Sequence, residues 1–146
     1  MIIKDVVIRR IIDSRGSPTV EAEITTENGF GRAAAPAGAS TGTHEAMAWP
    51  SGSVSKGIIF TENNVIPKLI GLSANKQVEF DQLLKEIDGT ANFSKMGGNI
   101  SVALSLACAK SAANSSETSL FEYLSKDTEY TIPAPMANVL GGGAHA

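Results

Sequence analysis

Ser40 and Thr41 place two hydroxyls side by side in the run Pro36-Ala37-Gly38-Ala39-Ser40-Thr41-Gly42, and His44 and Glu45 follow closely. Hydroxyl oxygens are hard ligands, of the kind taken by Mg²⁺ and by phosphate-bearing substrates. Gly38 and Gly42 permit positive φ and close backbone approach, so the run is able to fold tightly over a small ligand. Composition alone favours a turn-rich connector, since most such loops carry no chemistry. A free-standing phosphate-binding loop is a weaker reading, because Thr43 and His44 stand where such a loop would supply a lysine. Cys108 lies in the apolar run Leu104-Ser105-Leu106-Ala107-Cys108-Ala109, where a buried and inert thiol is expected. His145, near the last residue, reads by itself as a solvated side chain.

Elements of two kinds must position these residues. Val6, Val7, Ile8, Ile11 and Ile12 supply a first β-strand, and Ser14-Arg15-Gly16-Ser17-Pro18 a turn. Val20, Ala22 and Ile24 then alternate with Glu21, Glu23 and Thr25, the period of a half-buried strand. Glu27-Asn28-Gly29 predicts a hairpin, with Asn and Gly in left-handed conformations, and residues 30–35 the return strand. Beyond Gly42 the period becomes helical. Phe60, Val65, Ile66, Leu69 and Ile70 predict a helix with Thr61 as N-cap, Gly71 past its end and a break at Pro67. Phe80, Leu83, Leu84 and Ile87 form the stripe of a second, which Asp88-Gly89-Thr90 ends. Residues 99–113 are apolar on nearly all sides, as in the buried centre of a small bundle, and a short helix through Leu120, Phe121 and Leu124 follows Ser119. Strands first and helices after predict an α+β fold, a three-stranded antiparallel meander followed by a bundle of about four helices, with the helices packed on one face of the sheet.

Bulk properties narrow the function. The 146 residues fit one domain able to bury a core, with 42% hydrophobic and 18% charged residues. A net charge of −3, with only Lys4, Arg9, Arg10 and Arg15 clustered, gives no footprint for nucleic acid. Charges come too early for a signal peptide, and Lys110 breaks the best apolar run. One cysteine makes no intrachain disulfide, so a soluble cytoplasmic protein is expected, binding neither membrane nor nucleic acid. Met136, Val139 and Leu140, after two prolines, look like the opening strand of a further unit, with a flexible tail as the alternative.

Four segments, in order, resemble the enolases. Asp13-Ser14-Arg15-Gly16-Ser17-Pro18-Thr19-Val20-Glu21 is similar to their opening D-S-R-G-N-P-T-V-E, and residues 36–46 to their loop P-S-G-A-S-T-G-x-x-E-A. Residues 88–99 resemble D-G-T-x-N-K-S-x-x-G-A-N, and residues 138–146 N-V-I-N-G-G-x-H-A. The resemblance implies a capping domain over residues 1–132, and over residues 133–146 a linker and the first strand of a barrel domain. It implies the conversion of 2-phosphoglycerate to phosphoenolpyruvate and water, in glycolysis and its reverse. Ser40 would be the ligand of a second Mg²⁺, with Gly38, Ala39, Thr41 and Gly42 forming a closing lid and His145 standing on the substrate side. The base lysine, acid glutamate and first-site carboxylates of enolases lie on the barrel, outside these residues. The barrel, in cis or in trans, is therefore the implied partner, substrate and product bind only with it, and the chain alone is expected to be inactive. Glu21 and Arg15 stand where enolases place subunit contacts, which implies a possible homodimer; as residues alone they read as an exposed strand-edge pair.

The sequence also departs from that pattern. Ala37 replaces the first lid serine, Gly141 replaces an asparagine, and Met47-Ala48-Trp49-Pro50-Ser51 stands where enolases read L-E-L-R-D. These changes put the lid geometry in question and motivate a second reading, a non-catalytic enolase-like paralogue serving as an interaction or assembly module.

Overall fold

The computed structural model describes residues 1–36, 38, 41–125, 129–137 and 139. Strands β1 (Ile3–Ile12), β2 (Pro18–Thr26) and β3 (Phe30–Ala34) form an antiparallel sheet in the order β1-β2-β3. Asp13 shapes the first turn, its Oδ1 accepting from the amides of Arg15 at 2.9 Å and Ser17 at 2.8 Å. The alternation in β2 sorts as predicted. Val20, Ala22 and Ile24 are fully buried on one face, and Glu21, Glu23 and Thr25 are half-buried on the other.

Five α-helices follow among the described residues: α1 (Val54–Asn64), α2 (Ile66–Leu69), α3 (Gln77–Asp88), α4 (Gly98–Ser115) and α5 (Leu120–Leu124). A 3-10 turn at Pro50–Gly52 precedes α1. The break expected at Pro67 divides α1 from α2, because a proline is tolerated in a first helical turn, where its missing N–H is not needed. Thr61 is not an N-cap. Ser53 caps α1, accepting from the Lys56 amide at 3.3 Å, while Thr61 lies buried inside the helix with its hydroxyl on the Gly57 carbonyl. The helix starts earlier than expected, because Val54 and Ile58 already form a core-facing stripe that runs on through Thr61 to Val65. Ser119 and Glu122 close a capping box on α5.

α4 is the central helix, and it lies on one face of the sheet, as expected of the helices, rather than at the centre of a helix-only bundle. Its buried Ala103, Leu104, Ala107 and Ala112 join Val20, Ala22, Ile24 and Ala33 in one core. Two glycines make that contact possible. A Cβ on Gly31 would meet the Ala107 carbonyl oxygen and the Ser111 nitrogen, and one on Gly29 would lie 2.5 Å from the Ser111 carbonyl oxygen. The left-handed conformations expected at the hairpin do not occur, since neither Asn28 nor Gly29 has positive φ. Gly29 is small because a helix lies on it. α4 also covers the outer edge of β3. Asn114 Oδ1 accepts from the Phe30 amide at 2.9 Å and Lys110 Nζ donates to the Arg32 carbonyl at 3.0 Å, groups that an edge strand would otherwise present to another chain.

Candidate functional site

The segment 36–46 leaves the end of β3 and returns at Met47. At its first root, the Ala35 amide donates to the Val20 carbonyl at 3.1 Å, and the buried Thr19 hydroxyl donates to the Ala35 carbonyl at 2.6 Å. At its second root, Met47 donates to the Asn92 carbonyl at 2.8 Å and accepts from the Gly98 amide at 2.7 Å. Between the roots the Gly42 amide donates to Glu45 Oε1 at 2.8 Å, an internal bond of the loop, and Asn99 Nδ2 reaches the Pro36 carbonyl at 3.5 Å. A cleft lined by Thr41, Gly42, Glu45, Met47, Ala48 and Asn92 runs along the returning arm.

The second root is built by a buried carboxylate. Asp88, the last residue of α3, is wholly buried and has its four lone-pair directions filled. Its Oδ1 accepts from the amide and hydroxyl of Thr90, and its Oδ2 from the amides of Lys95 at 3.1 Å and Met96 at 2.7 Å. A carboxylate that accepts this many N–H and O–H bonds is tolerated away from water. The turn it closes carries the Asn92 carbonyl and the start of α4 to Met47. Gly97 completes the contact at φ +98°, where a Cβ would lie 2.6 Å from the Ala48 carbonyl oxygen.

Of the site residues expected from the sequence, Gly38 and Thr41 are described and exposed. Ala39, Ser40 and His145 lie outside the described residues, as does Ala37, so no distance relates Ser40 to His145. Met47 to Pro50, where the sequence departs most from the enolase pattern, meets its neighbours largely through backbone and through the buried Pro50 ring, 3.3 Å from the Cβ position of Gly97. The backbone bonds of Met47 do not depend on the side chains that changed, whereas Trp49 and Pro50 pack through the new ones. Thr19, Asp88 and Asn92 hold the roots of this loop, a role that their residue types and motifs do not announce. Among the described residues no group of three His, Cys, Asp or Glu is placed to hold a metal ion.

The opposite sheet face carries an ion network. Arg9 lies 3.2 Å from Glu21 and 2.7 Å from Glu23, and Arg32 reaches the same two carboxylates at 3.8 and 3.6 Å. The hydrogen bond from Arg9 holds the Glu23 carboxyl below its usual range against the opposing effect of burial. Glu21 therefore sits on the central strand between two arginines, and the expected strand-edge pairing with Arg15 is replaced; Arg15 stands in the 13–17 turn. Cys108 is buried, and desolvation pushes its thiol up to about 12, with the Asp81 charge adding to the effect.

The family model described as the enolase N-terminal domain matches residues 3–124. The chain belongs to the enolase N-terminal domain family. It is 51% identical over 145 residues to the enolase of Methanosphaera stadtmanae, which covers 99% of this chain and 35% of that protein. The enolase of Methanothermobacter thermautotrophicus gives the same identity and shares of coverage, and that of Thermoplasma acidophilum is 49% identical over 99% of this chain and 36% of its own length. This enolase N-terminal domain thus spans about a third of the length of the curated relatives it matches. The meander followed by helices is the fold the family implies, and among the described residues no helix is long and apolar enough to cross a membrane.

Proposed function

We propose that this chain is the capping domain of an enolase and supplies the lid of a site completed by a barrel. The parent reaction is the loss of water from 2-phosphoglycerate to give phosphoenolpyruvate, in the glycolytic direction and in the cytoplasm. The observation that carries this reading is the segment 36–46 held at both roots, at Ala35 and Met47; among its described residues the bond to the rest of the fold is the long one from Asn99 Nδ2 to the Pro36 carbonyl at 3.5 Å. Such a segment is able to close over a ligand without disturbing the core, and closure excludes water from the reacting carbon. Residues 1–132 form the cap, and residues 133–146 lead into the barrel.

The donor chemistry suits Mg²⁺ in part. Ser40 offers one hard oxygen, so this chain contributes a ligand but does not hold the ion by itself. When bound, Mg²⁺ supplies positive charge that stabilises the charge developing on the substrate carboxylate. Gly38, Ala39 and Thr41 present small groups and backbone to the phosphate end, and His145 hydrogen-bonds near the reacting centre. The barrel carries the proton-transfer groups. The outward ion network on the sheet is the surface offered to a second subunit. The alternative, a non-catalytic module, drew on the changes at 37 and 47–51. The Met47 anchors, which are backbone bonds, weigh against it.

The test joins the chain to the barrel of a relative, as one polypeptide or as two. Dehydration of 2-phosphoglycerate is expected from the assembly, and Ser40→Ala lowers it at least tenfold. An active assembly indifferent to Ser40→Ala would remove Ser40 from the site.

A further inference from the structure

The first root of the loop ends where backbone pairing ends. Ala34 is the last residue of β3 paired with β2, and Ala35 keeps one further bond through its amide. Pro36 follows and has no N–H, so the ladder has no backbone donor with which to continue. The Ala35 residue is 2% exposed, and an acceptor buried without a donor is costly. Among the described residues its carbonyl accepts from the Thr19 hydroxyl at 2.6 Å, and Thr19 is itself 2% exposed. Thr19 thus adds one rung by side chain at the point where the main chain runs out of donors. It fixes the peptide plane between Ala35 and Pro36, and with it the direction in which the chain leaves the sheet.

We propose that Thr19 is a positioning residue for the lid. Its hydroxyl sets the exit angle of residues 36–46, and the backbone pair on Met47 sets the return. This rests on the lid reading of that segment. Thr19 touches neither metal nor substrate; it acts through the Ala35 carbonyl on the residues that do. A valine at 19 keeps the branched shape and removes the donor, so the carbonyl must turn to find water and the exit angle is released. A serine keeps the donor and loses one methyl.

Two measurements test it on Thr19→Val, with Thr19→Ser as the rescue. In this chain, amide hydrogen exchange at Ala35 is expected to quicken about tenfold in Thr19→Val. Amides in the middle of β2 are expected to hold their rates, and Thr19→Ser to return Ala35 to within about twofold of the parent. Unchanged exchange at Ala35, or a rise spread evenly over the sheet, would overturn the anchor. Failure of serine to restore it would do the same. In the assembly with a barrel, a loop that samples its working position less often binds substrate more weakly by that fraction, so KM is expected to rise about tenfold with kcat within twofold. A lower kcat at unchanged KM would mark a plain loss of folded protein and overturn the positioning role. If the parent assembly shows no dehydration, the lid reading fails, while the exchange at Ala35 still decides whether Thr19 is the anchor.

Discussion

Replacing Asp88 by Asn changes one oxygen of a wholly buried carboxylate into a donor and alters almost nothing in size. The parent carboxylate accepts four bonds, two from Thr90 and one each from the amides of Lys95 and Met96. An asparagine keeps an oxygen for one of those pairs and turns an NH₂ toward the other. Facing the Lys95 and Met96 amides, that NH₂ opposes two N–H groups with no freedom to turn away. Facing Thr90, it meets one amide and a hydroxyl that is also accepting from the Ser94 amide at 2.9 Å. Either way at least one donor loses its acceptor in a site closed to water. Hydrogen bonds to charged groups are worth about 1.5–3 kcal/mol, so Asp88→Asn is expected to cost about 3 kcal/mol and Asp88→Ala more. For a chain of this length that is a fall in Tm of about 10 °C. Thermal unfolding followed by circular dichroism at neutral pH measures it. The loss should appear together with faster amide exchange at Met47, since the turn that carries its acceptor has loosened. A fall in Tm under about 3 °C would refute the reasoning, because it would mean that the 88–98 turn keeps its shape without the carboxylate.

Gly31→Ala is expected to cost about 3 kcal/mol, since the added methyl meets main-chain atoms of α4 that have no rotamer to give, whereas Gly16→Ala, in open space at φ +79°, should cost nearer 1 kcal/mol; urea denaturation of the pair compares them. The Glu23 carboxyl is held low by Arg9, so its contribution to stability is present above the usual carboxylate range and disappears as pH falls through its lowered pKa. Melting curves of the parent and Glu23→Gln should therefore differ at pH 7 and converge in acid, and the gap should narrow with added salt. Cys108, with its thiol pushed up to about 12 and no exposed surface, should not react with a disulfide reagent at pH 8 until the chain is unfolded. Stoichiometric labelling of the native chain within minutes would contradict its burial.

Local pattern carried the strands and most of the helices. The alternation in residues 20–25 needs only the period of a strand, and the stripe from Phe80 to Ile87 only that of a helix. Pro67 and the Ser119 capping box likewise act on their own neighbours. What could not be read depended on residues far away in the chain. Gly29 and Gly31 look like turn and strand glycines until α4, about eighty positions later, is laid across them. The apolar circumference of α4 marked it as buried, and the order of strands then helices placed the helices on one face of the sheet, but neither said that α4 would be the one laid against β2 and β3. Thr61 was a good capping residue in the wrong place, because α1 already starts at Val54, on a stripe of Val54, Ile58 and Val65 in which Thr61 lies buried. In the candidate site, Ser40 and its neighbours were legible as oxygen and glycine. The parts that hold the loop, Thr19 and Asp88, were polar residues whose partners are carbonyls and amides, and main-chain partners leave no trace in residue types.

The central claim is that this domain provides half of an active site. It is tested most directly by following phosphoenolpyruvate formation from 2-phosphoglycerate with excess Mg²⁺ in three samples: this chain, the barrel of a close relative, and the two together. The account predicts background rates from each alone and turnover at least a hundredfold higher from the mixture or fusion. Turnover by this chain by itself would contradict it, and so would a folded, associated mixture no faster than the barrel alone.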